Sequence, residues 1–326
     1  MTFRARRDPE LEPTAIRAAH ARIHPAFRDS PQYLHESLSR TVGADVVLKI
    51  ECVNPIRAFK GRGTWLAVEA LAGEGRIGPS CPVVAASTGN FGQGLAFAAR
   101  AFGLPAIVFA DAHANPVKLD RIRAFGATVI QEGSDFDEAR AASAAYARER
   151  GAYLLTDGED PRVAAGAATL ALEVTDAAER GAVPLPAVAY VPLGNGALIV
   201  GVGAWLRHAA PNCRIVGVSA AEAPSMVRSW DAGVLVATPT AATYAEGIAC
   251  RVPVPEALDM MVGRVDELLL VTEEQLRGAQ DLLTAATGIT VEGAAGASLA
   301  GLLADPQRGM GPALVILTGS NVSATG

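Results

Sequence analysis

Three times in this chain a short apolar run that reads as a buried strand ends directly in a polar turn. Val83-Val84-Ala85-Ala86 runs into Ser87-Thr88-Gly89-Asn90-Phe91, Ala187 to Leu193 into Gly194-Asn195-Gly196-Ala197-Leu198, and Pro312 to Leu317 into Thr318-Gly319-Ser320-Asn321. After the first two turns the apolar residues take helical spacing, over Leu95 to Arg100 and Ile199 to His208. Asp45 to Ile50, Ala106 to Phe109 and Thr128 to Ile130 read as further strands, alternating with alanine-rich amphipathic segments. That alternation requires an α/β fold with open, mostly parallel sheets, whose ligands gather outside the carboxyl ends of the strands. Helix starts such as those after Ser87 and Gly194 offer backbone N–H groups to a carboxylate or a phosphate.

A fourth stretch, Asn54-Pro55-Ile56-Arg57-Ala58-Phe59-Lys60-Gly61-Arg62-Gly63, places a lysine between a rigid turn and two glycines. Pro55 fixes its own φ and biases Asn54 toward extended geometry, while the glycines let the backbone pass close to something bulky. The run Thr64 to Leu71 then has helical spacing, so Lys60 is expected at a helix start. Partial burial and the positive end of the helix dipole both disfavour an ammonium there, which suits an amine that forms a Schiff base with an aldehyde cofactor. A lone lysine of this kind is ordinarily just solvated beside Arg62, so the assignment depends on the other motifs.

Composition excludes several classes. The 326 residues support about two domains, and 50% hydrophobic residues leave ample core. A net charge of −6 with dispersed Lys and Arg argues against nucleic acid. Met1 to Pro13 is charged and lacks an apolar core, and no apolar run approaches the ~20 residues needed to span a bilayer, so a cytoplasmic protein without membrane contact is expected. Cys52, Cys81, Cys213 and Cys250 are solitary, as structural thiols in a reducing compartment are. The five histidines have no metal spacing, and no G-x-G-x-x-G or P-loop occurs. Glu273-Glu274 follows Thr272 as helix-capping acids do, and Asp176 to Arg180 reads as a solvated helix end.

Taken together and in order, these segments resemble the pyridoxal-phosphate enzymes of the tryptophan-synthase β-subunit fold (fold type II), and among them the serine/threonine dehydratase branch. The family pattern Ser-Phe-Lys-x-Arg-Gly stands here as Ala58 to Gly63, Ser-(Ala/Ser/Thr)-Gly-Asn-His as Ser87 to Phe91, the tetraglycine loop plus leucine as Gly194 to Leu198, and Ser-Gly-Gly-Asn as Thr318 to Asn321. Weaker echoes are Ala164 to Thr169, Ala245-Glu246-Gly247-Ile248 and Val291 to Ala297. Departures are equally specific: Arg57-Ala58 replaces glycine-serine, Phe91 replaces histidine, and Asn195 and Ala197 replace two phosphate-loop glycines.

The resemblance implies two domains, residues 1–81 with 156–326 for the cofactor and a small mobile domain over 82–155, each an open mostly parallel sheet with helices on both faces. It implies pyridoxal 5'-phosphate as cofactor, with Lys60 as the Schiff-base lysine and the base at Cα, and Phe59 beside the ring. Asn90 is implied at the phenolic oxygen, Gly194, Asn195, Gly196, Ala197 and Leu198 around the phosphate, and Thr318 at the pyridine nitrogen. Ser87, Thr88, Gly89, Asn90 and Phe91 are implied to hold the substrate carboxylate, and Lys118 to have a structural role. The implied activity is an ammonia-lyase that eliminates the β-hydroxyl of a small amino acid such as L-threonine or L-serine to give a 2-oxo acid and ammonia, in a homodimer. A threonine-synthase-like reaction, β-replacement, racemisation and a non-catalytic cofactor-binding protein stay open. Relatives that bind magnesium or calcium use acids where Ser219 and Ser225 stand here, so no metal is expected even with Glu222 nearby. The end of the chain at Gly326 implies no appended regulatory domain.

Overall fold

The computed structural model describes residues 3–322; the expected chain end at Gly326 lies outside them. Ten strands occur among these residues: β1 Gln32–Leu34, β2 Val46–Ile50, β3 Val83–Ala86, β4 Ala106–Ala110, β5 Thr128–Gln131, β6 Tyr153–Leu154, β7 Val188–Pro192, β8 Arg214–Ala220, β9 Glu267–Val271 and β10 Ala313–Leu317. Six form one sheet in the order β1-β2-β10-β7-β8-β9, and four form another in the order β5-β4-β3-β6. Only β1 pairs antiparallel; every other pairing is parallel.

The central strands are buried on both faces, as parallel sheets covered by helices require. Along β10, Leu314 and Ile316 join the core under helices Pro161–Glu179 and Ala197–Ala209, whereas Ala313, Val315 and Leu317 join the opposite core under Glu273–Thr287 and Gly293–Ala304. This is the period-two alternation of a pleated strand, with both faces apolar. The small sheet repeats the arrangement, with Val83, Ala85 and Val108 in one cluster and Val84, Ile107 and Phe109 in another.

Helix Lys60–Gly73 links the two regions by packing on both Asn90–Ala101 and Pro161–Glu179. The glycines of the lysine motif serve this packing. A Cβ on Gly61 would lie 2.3 Å from the Phe27 ring, and one on Gly63 would lie 2.4 Å from the Val163 carbonyl. Gly166 on the facing helix is equally restricted, since its Cβ would stand 2.5 Å from the Gly63 backbone.

Some expectations are corrected in detail. The helix after the Gly194 turn begins at Ala197, so Ala197 and Leu198 belong to it and not to the loop. Arg62 is not half of a solvated pair: its side chain is fully buried. Asp176 to Arg180 does form a helix end as expected, with Glu179 and Arg180 exposed and Asp176 3.5 Å from the exposed Arg17. Four strands lie beyond the expected set: β8, β9, and the two- and three-residue β6 and β1, which are too short to carry a periodicity.

Candidate active site

The three turns and the lysine motif converge on one cavity of about 840 Å³, lined by Phe59, Lys60, the Ser87–Phe91 loop, Gly194 to Leu198, and Thr318. Parallel topology causes this convergence, because β3, β7 and β10 all deliver their carboxyl ends to the same side.

Local hydrogen bonds hold the lysine loop to the terminal strand. The Phe59 N–H donates to the Thr318 carbonyl at 3.0 Å and the Ser320 N–H to the Arg57 carbonyl at 3.0 Å, with Ala58 and Gly319 bridged between them. Asn54 shapes the loop from within. Its Oδ1 accepts from the Ile56 and Ala58 N–H groups, and its Nδ2 donates to the carbonyls of Glu51 and Ala58. Arg57, where the family pattern has glycine, takes φ +53°, a left-handed conformation that L-residues enter at a cost.

Lys60 is the first residue of its helix, and its Nζ sits 2.6 Å from Asp157 Oδ2. Burial and helix dipole alone therefore gave an incomplete account, because an anion faces the amine. Nζ also lies 4.8 Å from the centre of the Phe59 ring and 5.9 Å from that of Phe91.

Ser87 Oγ accepts from the N–H groups of Gly89 at 3.3 Å and Gly92 at 2.9 Å, so its oxygen caps the helix Asn90–Ala101. Asn90 Nδ2 donates to both carboxylate oxygens of Glu292, at 2.9 and 3.1 Å, and Asn90 Oδ1 accepts from Asn321 Nδ2 at 2.7 Å. Arg121 Nη1 in turn donates to Asn321 Oδ1 at 2.9 Å, so the small sheet's helix Pro116–Ala124 reaches the terminal motif of the large sheet. Burial pushes the Glu292 carboxyl up, against the opposing pull of the Asn90 bond and Lys118. Lys118 pairs with Glu246 on the cavity wall.

At the Gly194 turn, Gly196 has φ +97° and opens the helix Ala197–Ala209, whose first N–H groups have no intrahelical partner. A Cβ on Gly194 would meet the Gly247 carbonyl at 2.6 Å. Thr318 Oγ1 is buried and has no hydrogen-bond partner. A buried orphan hydroxyl, a glycine turn at a helix start and an amine on one cavity wall fit a flat heterocycle that carries a phosphate, an aldehyde and a ring nitrogen. Ser219 Oγ donates to the Leu193 carbonyl at 3.0 Å and Ser225 Oγ to the Cys250 carbonyl at 2.6 Å, while Glu222 is exposed.

Sequence reasoning missed Asp157, the hydrogen bonds by which Asn54 shapes its loop, and the charge cluster beneath Lys60. There Arg62 donates to Glu51 and Glu173, and Lys49 Nζ lies 2.5 Å from Glu173 Oε2. His20, Asp29 and Glu173 approach one another closely, but Arg62 and Lys49 already neutralise Glu173. All four cysteines are free; burial pushes Cys52 and Cys250 up to about 11 and Cys213 to about 12, so these three thiols stay protonated at neutral pH. Among the described residues no helix is long and apolar enough to cross a membrane.

Residues 23–319 match the family described as pyridoxal-phosphate dependent enzyme. The chain is 35% identical to the L-threonine ammonia-lyase of Geobacter sulfurreducens, over 95% of this chain and 75% of that protein. It is 32% identical to the L-threonine ammonia-lyase of Thermotoga maritima, over 87% of this chain and 69% of the relative. The crystal structure of a T.th. threonine deaminase superposes with a TM-score of 0.87 at 29% identity, covering 97% of this chain and 100% of that one.

Proposed function

This chain belongs to the pyridoxal-phosphate-dependent enzyme family, and on that premise we propose that it is an ammonia-lyase that removes the β-hydroxyl of L-threonine or L-serine and releases a 2-oxo acid and ammonia. The observation that carries the reading is the single cavity onto which Lys60, Asn90, the Gly194 turn and the unpartnered Thr318 hydroxyl all open. Bound cofactor supplies an electron sink that makes the Cα proton of an attached amino acid acidic.

The chain's own groups have separable tasks. Lys60 would hold the cofactor through its Nζ and, as a free amine, would be the group that takes the proton from Cα. Phe59 and Phe91 supply apolar walls beside that amine. Backbone N–H groups from Gly194, Asn195, Gly196, Ala197 and Leu198, at a helix start, hold the phosphate. Thr88, Gly89 and Asn90, at the start of another helix, hold the substrate carboxylate, with Ser87 shaping that loop through its cap. Asn90, whose amide is held by Glu292 and Asn321, would be the side chain beside the phenolic oxygen. The unpartnered, neutral Thr318 hydroxyl would face the ring nitrogen and, carrying no charge, would supply a hydrogen bond there without an acid to protonate it.

Residues 82–155, which carry the four-stranded sheet, are assigned as the part that closes over the substrate and excludes water. We assign the protein to the cytoplasm and to a homodimer on the family pattern. The test is a survey of β-hydroxy, β-amino and phospho amino acids for 2-oxo acid release by the cofactor-loaded protein. Release from threonine or serine is expected; a racemised or β-substituted amino acid with no oxo acid would overturn the lyase assignment.

A further inference from the structure

Asp157 belongs to none of the motifs that led to the cavity, yet among the described residues it is the ion-pair partner of the Lys60 amine. It stands in the turn between β6 and the helix Pro161–Glu179. That turn is built to one shape. Gly158 has φ +91°, a Cβ there would lie 2.2 Å from the Asn195 carbonyl, and Asp160 caps the following helix through the Arg162 N–H at 2.9 Å. Asp157 Oδ2 accepts from Lys60 Nζ at 2.6 Å and from Asn195 Nδ2 at 3.3 Å, while Oδ1 is buried with no partner. The carboxylate thus bridges the lysine and the Gly194 turn, with one oxygen in reserve.

The other charged groups of the cavity are engaged elsewhere. Lys118 pairs with Glu246, Asp137 with Arg251 and Arg140, Arg277 lies on the Tyr244 ring, Asp135 caps the Glu138 N–H, and Glu292 is held by Asn90. The nearby Cys250 thiol is neutral, pushed up to about 11 by burial. Among the charged groups of the cavity, Asp157 is therefore the carboxylate in contact with the Lys60 nitrogen.

Resting on the function proposed above, we propose that Asp157 is a positioning residue that keeps the Lys60 nitrogen protonated once it is joined to the cofactor. In that step the ammonium nitrogen bonds to the aldehyde carbon and two of its three hydrogens leave with the carbonyl oxygen as water. The third stays on the C=N nitrogen, whose positive charge faces the carboxylate. An anion at hydrogen-bond distance raises the pKa of such a cation by about 1–3 units. The protonated link is the form that exchanges readily with a substrate amine, because its carbon is the more electrophilic.

The experiment is a pH titration of the visible absorbance of the holoenzyme without substrate, for the parent, Asp157→Asn and Asp157→Glu, each kept in excess pyridoxal phosphate and then gel-filtered. The Asn variant should retain the cofactor and lose the protonated band about 1–3 pH units below the parent. The Glu variant, which keeps the charge, should titrate close to the parent. Coincident midpoints in parent and Asn variant would overturn the proposal. So would an equal fall in the Glu variant, or an Asn variant that no longer holds cofactor, since either would make the carboxylate's shape and not its charge the cause. A parent without any visible band that borohydride can trap on Lys60 would instead overturn the cofactor-lysine assignment.

Discussion

Arg62 Nη1 and Nη2 donate to Glu173 Oε1 and Oε2 at 2.7 and 2.9 Å in a pocket where the two side chains are 0% and 3% exposed. The pair ties the helix that begins at Lys60 to the helix Pro161–Glu179, two residues along the chain from the reactive amine. Glu51, Lys49, Ser30, His20 and Thr169 add further bonds to the pair. A buried pair adds little net stability against an apolar isostere, but removing one partner strands a charge at about 3–5 kcal/mol. Its consequence here is a fixed origin for the lysine helix.

That cluster makes acid sensitivity measurable. Burial by itself would raise the Glu173 carboxyl, but His20, Arg62 and Lys49 outweigh it and hold it well below the usual carboxylate range. A depressed carboxyl contributes stability that is present above the unfolded value, near 4.3, and is lost as pH falls toward the folded one. The melting temperature should therefore fall steeply below about pH 4.5, and Glu173→Gln should both lower stability at pH 7 by about 3–5 kcal/mol and flatten the acid slope. Urea unfolding from pH 3 to 7 checks this; an unaltered slope in the variant would reject the assignment of the acid limb to Glu173.

Arg57 has the opposite standing, an exposed residue in a left-handed conformation at φ +53°. Arg57→Gly relieves about 1–2 kcal/mol of strain and gives back about 0.5–1 kcal/mol through the freer unfolded chain. A net gain of up to about 1.5 kcal/mol is expected in denaturant midpoint with unchanged slope; a loss would mean the side chain makes contacts worth more than the strain.

Lys60→Ala should keep the fold by circular dichroism and lose the visible cofactor band. Loss of the base alone removes about 10²–10⁴-fold in rate. Normal turnover by this variant would refute the central role of Lys60.

Thr318→Asp places a carboxylate where the orphan hydroxyl stands. Protonation of the ring nitrogen should lengthen the life of the carbanion and depress elimination, with transamination or racemisation rising. Stopped-flow absorbance and product chirality report it, and unchanged lyase kinetics would place Thr318 away from the ring.

Activity should be indifferent to chelator and to added magnesium, because Ser219 and Ser225 spend their hydroxyls on backbone carbonyls and a hard cation needs several oxygens including carboxylates. A several-fold response to magnesium would show that Glu222 or another acid rebuilds a site.

What the sequence by itself determined was local and periodic. Strand runs such as Val83–Ala86 and Ala313–Leu317, the helix start at Lys60 and the glycine turn at Gly194 are each encoded within a few neighbours, through propensity, φ freedom and the order of motifs. Parallel topology then carries those turns to one edge, which is why the cavity's principal residues were legible from the motifs alone. Tertiary structure alone decided which charges meet. Asp157 reaches Lys60 across 97 residues and Glu173 reaches Arg62 across 111, separations over which no sequence period operates. Ion pairing depends on distance and burial in three dimensions, so the same two residue types read as solvated helix flanks until the helices pack.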